Sequence, residues 1–374
     1  MFIKRQVEAY QRWTFFVVGG VVSNELEIEG TESFQTRHPI GIGDCKELLL
    51  WHAGWSPSLK NFLSQRKVKV FHAHFGNSGY AILPFVKKLG IPLVVTFHGM
   101  DAAHLARTSS LKIGEKYYPD KVLRKRYQEL FDYSSAIIGV SRHVIACLRR
   151  AGAPEDKLIR HYIGVEVDTY KREENGEVLR LLFVGRFVEK KGILDLVEAL
   201  ERLGKQKLEL ILAGGGEMEG LVSERLKCSG ISHRFLGVVG QEEVKKEMLK
   251  ASLLVVPSKT SKGGDQEGLP TVIAEAMACG LPVLGTRHAG IPEIISDGET
   301  GLLVDEGDVN QLADALQRLL HGEIDRSKLA HRAFENISEN FNVDKQSAKL
   351  EEIYDAVVAG RLLPKEPSPE ERQI

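Results

Sequence analysis

The 374-residue chain lacks any apolar run long enough to cross a bilayer. A spanning helix needs about 20 predominantly apolar residues, and the longest apolar stretch near the start, Phe15 to Val22, falls well short. No basic segment and cleavage site frame that stretch as a signal peptide, so the expected location is cytoplasmic. Cysteine is scarce as well. Cys45, Cys147, Cys228 and Cys279 lie far apart and form no C-x-x-C, which excludes a disulfide framework and predicts reduced, partly buried thiols. His72-Ala73-His74 has a spacing compatible with a metal, but no Cys, Asp or Glu nearby completes a ligand set, so no metal is expected. Gly214-Gly215-Gly216 follows an apolar run without the G-x-G-x-x-G continuation or the later acidic residue of a dinucleotide site, and no such cofactor is expected. Basic and aromatic residues do not interleave as in nucleic-acid binders, and no repeat of fixed period is present. No catalytic nucleophile stands out.

An overall charge excess is also absent, with 50 Lys and Arg against 51 Asp and Glu. The balance conceals an asymmetry: residues 1–175 carry a net +7 and residues 176–374 a net −8. Halves of opposite sign suggest two domains with different partners, and the length favours two domains. Short apolar runs alternate with helical patterns. Strands are expected at Phe15–Val18, Val68–Ala73, Leu93–Phe97, Ala136–Val140, Leu179–Val184, Leu208–Ala213, Arg234–Leu236, Leu253–Val256, Pro282–Gly285 and Gly301–Val304. Most lack period-two alternation, as parallel strands covered on both faces do. The expected class is therefore doubly wound α/β, in two sheets of about five strands each. The polar run Lys171 to Glu177 marks the boundary, giving domains at 1–168 and 169–342. A helical pattern over 343–362 and a disordered Pro- and Glu-rich tail over 363–374 follow.

Three segments carry chemistry. In Phe183 to Gly192, a buried strand ends at Gly185, and the loop after it holds Arg186 and Lys191. Ligands of open parallel sheets bind outside the carboxyl ends of the strands, and a fork-shaped and a point cation there suit a diphosphate. In Glu267 to Glu275, Gly268 permits close backbone approach and Pro270 suits a first helical turn. Amides near Leu269 and Thr271 then form an anion site at the helix start. Carboxylates beside a phosphate site repel it unless they receive hydroxyl donors, so Glu267 and Glu275 point to a polyol attached to a diphosphate. The turn Thr96-Phe97-His98-Gly99-Met100-Asp101 puts polar side chains at a third strand end.

These motifs resemble family 4 retaining glycosyltransferases of the GT-B type, most closely those of bacterial exopolysaccharide and capsule assembly. The resemblance runs from Phe2 to about Gly360. It rests on G-R-F-V-E-K-K-G at 185–192, E-G-L-P-T-V-I-A-E at 267–275, A-M-A-C-G-L-P-V-L-G-T at 276–286, H-A-G-I-P-E-I-I at 288–295 and T-G-L-L-V at 300–304. It implies two Rossmann-like domains whose parallel sheets face a cleft, the first binding the acceptor and the second a nucleotide-diphosphate sugar, UDP-linked more than GDP-linked. The helix over 343–362 would return to the first domain. Arg186 and Lys191 would neutralise the donor diphosphate in place of a metal. Glu275 would hold ribose hydroxyls, and Glu267 would stand beside the transferred sugar with the amides of Gly268, Leu269 and Thr271. Gly237 and Val238 would read the base edge next to Gly214, His98 would reach over the sugar, and His74 and Asp101 would lie on the acceptor side. The leaving phosphate would serve as base, which accounts for the missing nucleophile. Family members open with an apolar strand and a Gly-rich loop, and Met1 to Val7 matches the helix after them, so that strand is expected to be missing. Tyr162 to Asp168 replaces the commoner Pro-Asn-Gly-Val-Asp.

Residues 116–131 combine five cations with a stripe of Leu123, Tyr127 and Phe131 on a helix expected after Pro119. Such a face suits peripheral contact with an anionic membrane presenting a lipid-linked saccharide or growing polysaccharide acceptor. A solvated face over a core-packing helix is the plainer alternative. Two other functional readings stay open: a catalytically silent sugar-nucleotide-binding protein and a sugar-nucleotide epimerase.

Overall fold

The computed structural model describes residues 5–6, 8–14, 17–19, 33–35, 57–107, 110–113, 116–167, 178–204 and 206–363. Cys45, the polar run at 171–177 and the tail from 364 lie outside them. The chain divides into two compact units, Met1–Gly164 with Val343–Ile374, and Val165–Asn342.

The first unit opens with a parallel pair, β1 (Val17–Gly19) and β2 (Ser33–Gln35). Its main sheet contains β3 (Phe71–His74), β4 (Leu93–Phe97), β7 (Ala136–Gly139) and β8 (Leu158–Arg160), all parallel and in that spatial order. Every residue of β4 and β7 is buried, which is why these strands read as apolar runs, broken in β4 only by Thr96. Between β4 and β7 lies an antiparallel hairpin of β5 (Ser110–Ile113) and β6 (Lys116–Pro119). A helix then begins at Asp120, directly after Pro119, and runs to Tyr133. It buries Tyr127, Leu130 and Phe131 while Arg124 and Lys125 stay exposed. The side chain of Leu123 is outside the described set.

The helix Val343–Ala359 packs in this first unit, with Leu350, Ile353 and Tyr354 clustered with Val94, Ile138 and Ile159. Its buried Glu351 carboxylate accepts the N–H groups of Gln11, Arg12 and Trp13 at 3.0, 2.6 and 3.0 Å.

The second unit holds one parallel six-stranded sheet: β9 (Leu179–Val184), β10 (Leu208–Ala213), β11 (His233–Gly237), β12 (Leu253–Val256), β13 (Val283–Thr286) and β14 (Leu302–Val304). Their spatial order is β11-β10-β9-β12-β13-β14. The chain thus winds outward from β9, returns to its other side at β12, and continues outward. That reversal is the topological switch point of a Rossmann sheet. Helices Ile193–Leu203 and Val309–Leu320 bury their apolar stripes in one core with β9, β10 and β12. Among the described residues the sheets have four and six strands rather than about five each, and two small pairs lie outside them. Edge strand β8 and the hairpin escape a reading of apolar runs because each is three or four residues long and carries charge.

Candidate functional site

In the second unit, adjacency of β9 and β12 brings together two loops about 70 residues apart in sequence. The loop after β9 turns at Gly185, forms a 3-10 turn over Glu189–Lys191 and enters the next helix through Gly192 in a left-handed conformation. A Cβ on Gly192 would lie 1.8 Å from the Pro257 carbonyl oxygen, so the loop after β12 is seated directly upon it. Lys259 N–H donates to the Lys190 carbonyl at 2.8 Å, and Lys262 N–H to the Glu189 carboxylate at 3.0 Å. Buried Lys190 reaches Asp265 at 3.1 Å, so of two adjacent lysines one anchors the loops.

The other lysine faces the site. Lys191 Nζ stands 3.0 Å from Glu267 Oε1, with side chains 17% and 10% exposed. Burial would raise the Glu267 pKa, but Lys191 and then Lys190 outweigh it, and the carboxyl lies below its ordinary value. Arg186 is exposed at the start of the same loop. Glu267, Gly268, Leu269 and Pro270 form a buried approach to the helix Thr271–Ala278. Pro270 is the residue before the helix rather than its first residue, and no side chain caps it. Ile273 N–H donates to the Pro270 carbonyl at 3.1 Å, which leaves the Thr271 and Val272 amides ahead of it at the positive end of the helix dipole. Glu275 follows one turn in and is half-buried.

Beyond β10 and β11 the backbone is tied in the same way. Gly214 N–H donates to the Gly237 carbonyl at 2.8 Å, and a Cβ on Gly214 would lie 1.9 Å from the Gly185 carbonyl oxygen. Val238, next to Gly215, is 87% exposed at the sheet edge. Gly185, Arg186, Lys191, Gly214, Val238, Glu267, Gly268, Leu269, Thr271 and Glu275 all belong to the carboxyl end of one sheet or to the helix starting there. An exposed guanidinium, an ammonium, uncapped amides and two carboxylates together match an anionic group carrying hydroxyls.

Sequence reasoning missed the supports of this end. His288, 2% exposed, accepts the Glu267 N–H on Nε2 at 3.2 Å, while its Nδ1 meets the Glu306 carboxylate. Glu306 also accepts from Thr260 N and Oγ1. The only signal in the H-A-G-I-P-E segment is a histidine beside the turn residues glycine and proline; the left-handed Ala289 (φ 48°) that fixes the turn is decided by the fold.

In the first unit, register places His74 opposite Thr96, so His74 and His98 emerge from neighbouring strand ends. His74 Nδ1 and His98 Nε2 are 3.1 Å apart, and one of the two nitrogens carries the shared proton. Burial, with His74 as second cause, pushes the His98 pKa well down; burial brings His74 to about 4. Both rings are thus neutral at pH 7. The Asp101 carboxylate accepts from the amides of Gly76, His98, Gly99 and Ala102 at 2.9 to 3.1 Å. Its oxygens hold the loop that presents His98. His72, considered with His74 for a metal, bonds Tyr354 Oη on Nδ1 at 2.6 Å and Thr96 Oγ1 on Nε2 at 2.7 Å. Both ring nitrogens therefore have hydroxyl partners. Cys147 and Cys279 are buried and Cys228 is exposed, all as free thiols.

Two family models match the chain: Glycosyltransferase Family 4 over residues 18–169 and Glycosyl transferases group 1 over residues 166–336. The amylovoran biosynthesis glycosyltransferase AmsK of Erwinia amylovora is 32% identical over 293 residues, covering 76% of this chain and 69% of that protein. Among solved structures, Anabaena HepE in complex with UDP-glucose superposes with a TM-score of 0.76 at 17% identity, covering 95% of each chain. A glycosyltransferase from Rickettsia africae gives 0.74 at 17% identity, over 96% of this chain and 94% of that one. At those identities the structures establish the shared GT-B fold.

Proposed function

The chain belongs to the family 4, group 1 glycosyltransferases, and from that premise we propose that it transfers a hexose from a UDP-sugar, with retention of configuration, to a lipid-linked or growing polysaccharide. The observation that carries the reading is the gathering of Arg186, Lys191, Glu267 and the Thr271 helix start at the switch point of one parallel sheet. The relative named for amylovoran biosynthesis supports a polysaccharide product, and the neighbour holding UDP-glucose supports the donor class.

In this reading Arg186 and Lys191 bind the diphosphate with the amides of Gly268, Leu269 and Thr271. The Lys191–Glu267 ion pair keeps both side chains placed until the donor enters; Lys191 then turns to phosphate and Glu267 receives sugar hydroxyls. Glu275 takes the ribose hydroxyls, and Gly214 and Val238 border the base. Catalysis is electrostatic: cations and helix amides stabilise the negative charge that develops on the departing diphosphate. As the bond from the anomeric carbon to phosphate oxygen breaks, an acceptor hydroxyl forms the new glycosidic bond on the same face. Its proton passes to the departing phosphate oxygen. Neutral His98 offers a hydrogen bond to the sugar, with His74 and Asp101 shaping the acceptor side.

No helix among the described residues is long and apolar enough to cross a membrane. Arg124 and Lys125, exposed on the helix Asp120–Tyr133, are the cations we assign to peripheral contact with anionic lipid. The deciding experiment is a screen of UDP- and GDP-sugars with nucleoside diphosphate release as readout, followed by the anomeric configuration of the product by NMR. Nucleotide binding without release from any donor would overturn the proposed reaction, and an inverted product would overturn retention.

A further inference from the structure

Four loops meet at the carboxyl end of the six-stranded sheet, and a chain of side chains crosses them. Glu306, after β14, meets His288, which follows β13. His288 meets the backbone of Glu267, in the loop after β12, and Glu267 meets Lys191, in the loop after β9. The middle link has an unusual constraint. The Glu267 N–H can only donate, so His288 Nε2, 3.2 Å away, must present a lone pair. The ring proton then resides on Nδ1, where Glu306 accepts it. The backbone enforces this placement. Ala289 takes φ 48°, a conformation disfavoured for a residue with a Cβ, and Ile291 N–H closes the turn on the His288 carbonyl at 3.0 Å. The turn leaves the imidazole 2% exposed. The charged groups facing the ring are Glu306, Glu267 and Lys190, and burial is the leading cause that keeps the ring uncharged.

We propose that His288 is a positioning residue for Glu267: locked by Glu306 as the Nδ1–H tautomer, it holds the Glu267 backbone and so sets where that carboxylate meets the donor sugar. The proposal rests on the reading that Glu267 stands beside the transferred sugar. Specificity for an imidazole follows from geometry, because one group must accept from a backbone amide and donate to a carboxylate on opposite edges. Phenylalanine does neither. Glutamine supplies an acceptor oxygen for the amide and an NH2 for the carboxylate.

The first test is independent of turnover. In the protein with 15N-labelled histidines, the His288 resonances, assigned by their loss in His288→Gln, are expected to show a protonated Nδ1 and an unprotonated Nε2 at pH 7. An Nε2–H tautomer or an imidazolium would overturn the proposal. Glu306→Leu removes only the acceptor of the Nδ1 proton, so Nε2, still facing the Glu267 N–H, should stay unprotonated while the Nδ1–H loses its hydrogen-bonded shift. The second test uses UDP-glucose as donor probe and UDP as ligand. His288→Phe leaves a buried donor unsatisfied and is expected to lower turnover about tenfold, with UDP affinity by calorimetry changed much less and His288→Gln restoring most of the rate. Equal losses of UDP affinity and turnover would show general collapse of the site and refute a positioning role. Wild-type rates in His288→Phe would refute it as well. Absence of UDP release from the wild-type chain would count against UDP-glucose as the donor instead, and the tautomer would still decide the role of His288.

Discussion

Lys191→Met tests the heart of the donor site, because it removes a cation without changing the length of the side chain much. The lost partner stood 3.0 Å from a carboxylate whose side chain is 10% exposed. At an effective dielectric near 20, a pair at that separation attracts by about 5 kcal/mol before desolvation is counted. Removing one member of a buried pair typically costs about 3–5 kcal/mol, because the other charge is left unsupported. Lys190 also draws on Glu267 and remains in place, so the expected loss is about 2–4 kcal/mol at pH 7. Urea denaturation followed by far-UV circular dichroism measures it. Adding Glu267→Gln to Lys191→Met should return a large part of the loss, since no unsupported charge then remains; the double-mutant cycle gives the coupling directly. The sign with pH is fixed. Glu267 has a depressed folded pKa, so its stabilising contribution is present above the ordinary carboxylate value and disappears as pH falls through the folded one. The gap between wild type and Lys191→Met should therefore close on acidification. A loss under about 0.5 kcal/mol, the usual size for an exposed pair, or a gap constant down to pH 3, would refute a buried, coupled pair.

Three further outcomes are expected. His72, His74, His98 and His161 all have folded pKa values below the ordinary one, His74 and His161 at about 4, with burial as the leading cause. Between pH 6.5 and 4 the unfolded chain binds more protons, so stability should fall with pH; His74 alone accounts for roughly 3 kcal/mol at the acid end. A melting temperature flat across that window would contradict it. Gly192→Ala places a Cβ 1.8 Å from a carbonyl oxygen at φ 65°, so it should displace the loop after β12 and weaken UDP binding along with stability; calorimetry and thermal melts at wild-type values would show that the loops do not interlock. Glu275→Ala is expected to weaken UDP binding, whereas His98→Ala should reduce turnover with little effect on UDP affinity. Calorimetry giving the opposite pattern would reverse the two assignments.

Much of the fold is legible in the chain because buried parallel strands announce themselves. Leu253–Val256 is a continuous apolar run, Leu93–Phe97 is broken only by Thr96, and Leu179–Val184 and Leu208–Ala213 are broken by one charge each, Arg180 and Glu209; the structure forms strands over those same residues. Strand β8 and the hairpin at 110–119 are not legible in this way. Their pairing is decided by neighbours in space rather than by a local pattern. The site divides similarly. Lys191, Glu267 and the helix start at Thr271 declare themselves through charge, glycine and proline beside strand ends. The division of labour between Lys190 and Lys191 does not, because both carry the same charge one residue apart. Only the position of Asp265 turns Lys190 inward.

The amino-acid order alone determines which segments become strands, which loops carry charge, and the total near zero that conceals halves of +7 and −8. These are local properties, set by side-chain burial preference and backbone conformation. Strand order is a long-range property. By placing β12 beside β9, the fold joins the loop carrying Lys191 to the one carrying Glu267 and recruits His288 and Glu306 from the next two strand ends. It also explains how the acidic half can receive an anion: net charge acts across a Debye length in water, whereas at the strand ends the nearby cations Arg186 and Lys191 and the amides of a helix start set the local field.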